Sequence, residues 1–100
     1  MSDMKTHSYL YHLSTDALDF SAGDIQAATL GHDAFIHLCT AGQVDAVRKR
    51  FFADAAVLYV TTLRTEELSD VRFEDTYGHG SYPHLYGGLP KRAVVKTERL

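Results

Sequence analysis

Only one stretch of this chain is patterned for a full amphipathic helix, and that limits the folds open to it. Thr40 is followed three residues later by Gln43, the spacing of a capping box, in which the glutamine side chain reaches back to serve a backbone donor left over at a helix start. Beyond it Val44, Val47 and Phe51 recur on one stripe, and Asp45 and Lys49 stand one turn apart as an outward ion pair. This pattern predicts a helix ending near Asp54. A second, short helix is expected over STDALDF, opening at Ser14 or Thr15 and stopped by Gly23.

The remaining segments read as strands and turns. Residues 8–14, SYLYHLS, alternate with a period of two, so His12 shares a face with Leu10 and Ser14 while Tyr9, Tyr11 and Leu13 face the other way. The stretch from Asp24 to Asp33 reads as turn and loop. FIHLC (35–39) is a short apolar strand carrying His37, VLYVTT (57–62) a buried strand, TEEL (65–68) a helical turn and VRFED (71–75) another strand. From Thr76 to Pro90 four glycines and two prolines predict a structured loop rather than a central strand. AVVKTERL closes the chain as a last strand. Five strands and one good helix predict an α+β domain with the main helix lying across a sheet.

At 100 residues there is room for a single domain, 1–100, and none for separate cofactor and substrate domains. No apolar run approaches the roughly 20 residues a membrane-spanning helix needs, and the start of the chain lacks the apolar core of a secretory signal. Cys39 is the only cysteine and has no internal disulfide partner, so a reducing, cytoplasmic setting is expected. A net charge of −3 argues against nonspecific nucleic-acid binding, which rests on a positive surface. The basic residues Lys91, Arg92, Lys96 and Arg99 gather at the tail, where Glu98 partly offsets them. Nothing in the pattern fixes an oligomeric state.

Six histidines in a chain this short carry most of the chemical information. His12 and His37 lie in predicted strands within similar tetrapeptides, HLST and HLCT, 25 residues apart. Each reads either as a half-buried strand residue satisfied by a hydroxyl or carbonyl, or as one of two imidazoles brought together on neighbouring strands. Glu74 shares a strand face with Arg72, which suits a solvated ion pair or a carboxylate aimed into a cleft as a base or ribose ligand. His84 follows Pro83 in the Gly-rich segment, with Tyr82 and Tyr86 placed to stack on a ring or to plug the loop into the core. His7 and His79 read as exposed, and His32 has no evident partner. Histidines five apart, such as His32 and His37, match the loose spacing of zinc fingers, but the C-x-x-C half is missing and there is no H-E-x-x-H. No metal is therefore expected. Cys39, in a buried strand, reads as an inert thiol. No P-loop or dinucleotide-fold glycine motif is present.

Y-H-L at 11–13, F-I-H-L-C-T at 35–40, R-F-E at 72–74 and P-H-L-Y-G-G-L at 83–89 together resemble the bacterial domain of unknown function 952 family. The resemblance runs from Tyr9 to the A-V-V at 93–95. Ala34 replaces the family's usual glycine, Cys39 its usual serine and Tyr82 its usual phenylalanine, and the expected tryptophan of the first helix is absent. That family has been grouped by fold with the ADP-ribosyltransferase superfamily. The grouping implies small split antiparallel sheets with one main helix, and a cleft for NAD or another phosphorylated nucleotide. On this resemblance His12, His37, Thr40, His84 and Tyr86 would hold the nucleotide, and His37 and Glu74 would be catalytic, in ADP-ribosyl transfer or NAD glycohydrolysis. A noncatalytic nucleotide- or protein-binding module is the alternative, with a zinc-binding domain behind it. Fold alone does not fix activity.

Overall fold

The computed structural model describes residues 7–32, 34–76 and 78–100. The reading of the extreme N-terminus lies outside these residues, as do Asp33 and Tyr77 within the two predicted loops. Among the described residues, six strands form two three-stranded antiparallel sheets, accompanied by one α-helix. The first has the order β1 (Tyr9–Ser14), β3 (Tyr59–Arg64), β6 (Val94–Arg99), and the second the order β2 (Ile36–His37), β5 (Tyr82–Leu85), β4 (Val71–Glu74). The α-helix, α1, spans Val44–Phe51. Among the described residues no helix is long and apolar enough to cross a membrane.

The alternation in β1 determines what each face of the first sheet meets. Leu10 pairs with Leu63 and faces the larger core, where Ile25, Ile36, Leu38, Leu85 and Leu89 gather. Three residues along and on the opposite face, Leu13 pairs with Val60 and packs with Cys39, Leu58 and the α1 residues Val44 and Val47. The sheet is thus covered on both sides, which is why four consecutive β3 residues, Val60, Thr61, Thr62 and Leu63, are buried. Thr61 meets its polar requirement across the sheet, its hydroxyl lying 3.2 Å from that of Thr97.

The capping box forms, with Gln43 Oε1 accepting from the Thr40 N–H at 3.0 Å. A short 3-10 turn, Ala41–Gln43, precedes the α-helix proper. That helix stops at Phe51 rather than near Asp54, and the apolar stripe shifts: Phe51 is 60% exposed, while Phe52 turns back onto the core. Asp45 and Lys49 do not form the expected ion pair among the described residues.

Two larger expectations are corrected. STDALDF is not helical, because its hydroxyls and carboxylates bind nearby backbone instead. Ser14 Oγ donates to the Asp16 carbonyl at 2.7 Å, and Asp19 Oδ1 accepts from the Ser21 N–H at 2.9 Å, competing with any helical ladder. The first helical turn appears later, as the 3-10 segment Ala27–Leu30. The Gly-rich stretch after Thr76 is not all loop: Tyr82–Leu85 is the central strand of the second sheet. Proline survives there because its missing donor falls on the β2 side, beyond that strand's two paired residues, where the Pro83 carbonyl accepts from the Leu38 N–H at 3.0 Å. Its pairing with Phe73 in β4 is left intact. The glycines that follow do local work. A Cβ on Gly87 would stand 2.7 Å from the Ser69 carbonyl oxygen, so only glycine allows this approach.

The core predicts a specific sensitivity. Leu63 is fully buried at the centre of the first sheet. Leu63→Ala should cost about 2–5 kcal/mol, read as a lowered denaturation midpoint with an unchanged denaturant slope.

Candidate functional site

One short segment serves both sheets and opens the space between them. Ile36 and His37 pair with Leu85 and His84 of β5, while Cys39 exchanges two backbone hydrogen bonds with Tyr11 of β1, at 2.8 and 2.9 Å. The two sheets therefore meet at Leu38 and Cys39 and diverge beyond them. Beside this junction lies a cavity of about 480 Å³. His12 reaches it from β1, His37 from β2, Glu74 from β4, and Tyr82 and His84 from β5, with Arg50 and Phe51 contributed by α1. The strand alternation that buries Ile36 and Leu85 turns His37, His84 and Glu74 to the other face of their sheet.

Glu74 is the electrostatic anchor. Its Oε1 accepts from His84 Nδ1 at 2.9 Å and from the Tyr86 hydroxyl at 2.6 Å. These bonds, the tyrosine's first and the imidazole's second, hold the carboxyl below its ordinary pKa, and the same contact pushes Tyr86 up. Because an ionised carboxylate accepts only, His84 carries a proton on Nδ1, and in the neutral ring Nε2 is the acceptor. The ring is further fixed by Phe35, stacked on it at 3.9 Å between centroids. The Arg72 guanidinium does not pair with Glu74. It binds Asp70 through two hydrogen bonds of 2.9 and 3.1 Å and lies 4.0 Å over the Tyr86 ring. Asp70 takes a left-handed backbone (φ 61°) to make that contact, a conformation aspartate tolerates better than most residues.

The other imidazoles stand in a tight group. His32 and His37 meet edge to face at 4.7 Å, and His37 and His84 at 5.6 Å. His12 is 3% exposed, and burial, with His32 and His37 nearby, pushes its pKa down to about 4. His37 is also lowered, by desolvation first and then by His32 and His84. Among the described residues, Nδ1 of His12 and Nδ1 of His32 are buried without a hydrogen-bond partner. Leaving such a group unsatisfied costs about 1–3 kcal/mol, an expense that core packing alone does not require.

Of the residues singled out in the sequence, His12, His37, His84, Glu74 and Tyr82 come together on the cavity. Thr40 and Tyr86 stand outside its lining. Thr40 starts the helix, and Tyr86 acts on the cavity only through Glu74. His32, His79, Arg50 and Phe52 line the cavity without having stood out in the sequence. The one hint for His32 was its place five residues before His37; the others lie on segments whose patterns point to solvent or core. Burial pushes the Cys39 thiol up to about 12, so it is not a nucleophile at neutral pH. Among the described residues, no group of three or more His, Cys, Asp or Glu side chains is arranged to hold a metal ion.

Two predictions follow from these protonation states. Unfolded His12 titrates near 6.5 and folded His12 near 4, so below pH 6.5 the unfolded chain binds the additional proton. The contribution of the neutral imidazole is intact above pH 6.5 and declines as pH falls to 4, by roughly 3 kcal/mol in all. Denaturation curves between pH 7 and 4.5 should show this loss, and the His12→Asn protein should show a flatter dependence. Tyr86→Phe removes the larger of the two hydrogen bonds on Glu74, so carboxyl ¹³C titration should find the Glu74 pKa raised in the variant.

No curated protein matches the chain. Two solved structures do, both of protein CC0527 from Caulobacter crescentus. The first is 26% identical with a TM-score of 0.72, covering 92% of this chain and 85% of that one. The second, a double-methionine mutant of the same protein, is 24% identical with a TM-score of 0.71 at the same coverage. Neither is described as an ADP-ribosyltransferase. The model of the family described as "Protein of unknown function (DUF952)" matches residues 13–97, a span that holds His37, Glu74 and His84, the whole second sheet and all of β3, and the chain belongs to that family.

Proposed function

We propose that the cavity is the active site of a small enzyme that handles NAD or a related phosphorylated nucleotide, in the manner of an ADP-ribosyltransferase or NAD glycohydrolase. The observation that carries this reading is the gathering of His12, His37, His84 and Glu74, from four different strands, on one cavity of about 480 Å³. That volume lies within the range of small-ligand pockets, and aromatic walls with a few convergent polar groups are their usual lining. Tyr11, Phe52 and Tyr82 offer the aromatic surface, and Arg50 a cation for a phosphate.

The roles follow from the hydrogen bonding. Both bonds to Glu74 fall on Oε1, which leaves Oε2 to face a cationic sugar centre as the bond to nicotinamide breaks and its electron pair departs with the base. His84, its Nδ1 proton held by Glu74, accepts at Nε2 the proton of the attacking water or acceptor hydroxyl. His12 and His37 position the ribose and pyrophosphate. Phe35, stacked on His84, holds the base in place.

The test is an NMR titration of the imidazole resonances with NAD, with zinc content measured on the same sample and nicotinamide release assayed alongside. Shifts confined to the cavity histidines, with release of nicotinamide, are expected. Glu74→Gln should lower the release rate about 10²–10⁴-fold while NAD affinity stays within a few-fold. Shifts without release would leave a noncatalytic nucleotide-binding module. No shift at millimolar NAD would overturn the nucleotide reading, and stoichiometric zinc would replace it with a metal domain.

A further inference from the structure

We propose that the imidazoles of His12, His32 and His37 form an oxyanion site that takes up a proton as it binds, matched to a phosphate-type group on the ligand. The inference rests on reading the cavity as the site of a phosphorylated ligand, and it adds the source of the positive charge. His32 was not a site residue on sequence grounds, yet its ring meets His37 at 4.7 Å and it lines the same cavity as His12. Two nitrogens of this group, His12 Nδ1 and His32 Nδ1, are buried with no hydrogen-bond partner among the described residues, so two side chains that line the cavity carry polar atoms the fold itself does not use.

The charges around the cluster decide which ligand suits it. Glu74 is the only carboxylate among the described lining residues, and its Oε1 is already shared by His84 and Tyr86. Arg50 from α1 is the only lysine or arginine among the described lining residues, and His79 adds a further imidazole from the Gly-rich loop. Cys39, Tyr11 and Tyr82 complete the titratable lining. Asp16 and Asp19 border a neighbouring cavity that shares His12 and His32. An imidazolium buried without a counter-charge is unfavourable, and burial beside the neighbouring imidazoles lowers the proton affinity of His12 and His37 in the empty site. A bound oxyanion supplies that counter-charge. Its oxygens accept from ring N–H groups of the three imidazoles, and the proton that completes this donor set comes from solvent. Binding and protonation then favour each other by the same factor, as linkage requires.

Sulfate is the direct probe, because its charge is constant from pH 5.5 to 8 and any proton taken up belongs to the protein. Calorimetric titrations of the folded chain in two buffers of different ionisation enthalpy should give close to one proton taken up per sulfate. Affinity should rise about tenfold per pH unit as pH falls, the slope of one linked proton. His32→Asn, at a half-buried position, should at least halve the uptake, and Arg50→Gln should weaken binding while leaving the uptake in place. Sulfate binding with no proton uptake, or with an affinity flat across this range, would overturn the proposal, as would no binding at pH 5.5. Uptake that vanishes in Arg50→Gln but persists in His32→Asn would overturn the assignment to these imidazoles. Sulfate binding with uptake stands even where NAD shifts nothing, and NAD turnover without sulfate uptake would remove this inference alone.

Discussion

The segment from Ile36 to Cys39 is the constraint on which the rest of the molecule depends. Its first two residues belong to one sheet and its last is bridged to the other. A strand held on both sides cannot follow either sheet for long, so the sheets part where it changes partners. Leu38 and Cys39 are buried at that junction, Leu38 in the larger core and Cys39 in the smaller one beneath α1. The cavity is a consequence of this divergence. Its walls combine strand residues, whose side chains are aimed by register, with α1 and the loop residues His32 and His79.

Within that frame the polar arrangement runs against what stability alone would favour. Histidines are brought close together, one of them almost wholly buried with its pKa pushed down to about 4, and two of their nitrogens lack partners among the described residues. Glu74 relieves only one edge of the cluster by binding His84. The line from Asp70 through Arg72 and Tyr86 to Glu74 and His84 runs from an exposed ion pair to the cavity wall. Such unrelieved polar groups concentrate where binding or chemistry uses them.

Much of this was legible in the sequence. Alternation in β1 placed His12 on the face of Leu10, and the Thr40 and Gln43 spacing located the helix start. The grouping of His12, His37, His84 and Glu74 came from a family resemblance, and the cavity holds all four. What the sequence hid has physical causes. Pro83 and the flanking glycines masked a central strand, because register decides whether a proline's missing donor matters. STDALDF reads as a helix opening at Ser14 or Thr15, yet the side chains of Ser14 and Asp19 compete for the backbone. Glu74 looked like a partner for Arg72 because the two share a strand face, but Asp70 takes the guanidinium through a left-handed turn that no pattern announces. His32 was invisible because its contact with His37 depends on the path of an irregular loop.

The chemistry of the cavity turns on Glu74 fixing the proton of His84 while His12, in the same lining, stays neutral. A long-range ¹H–¹⁵N correlation spectrum of the histidine rings at pH 7 reads both directly. It should show the His84 proton on Nδ1 and a neutral His12. A His84 ring protonated on Nε2 alone, or a His12 imidazolium at pH 7, would contradict it.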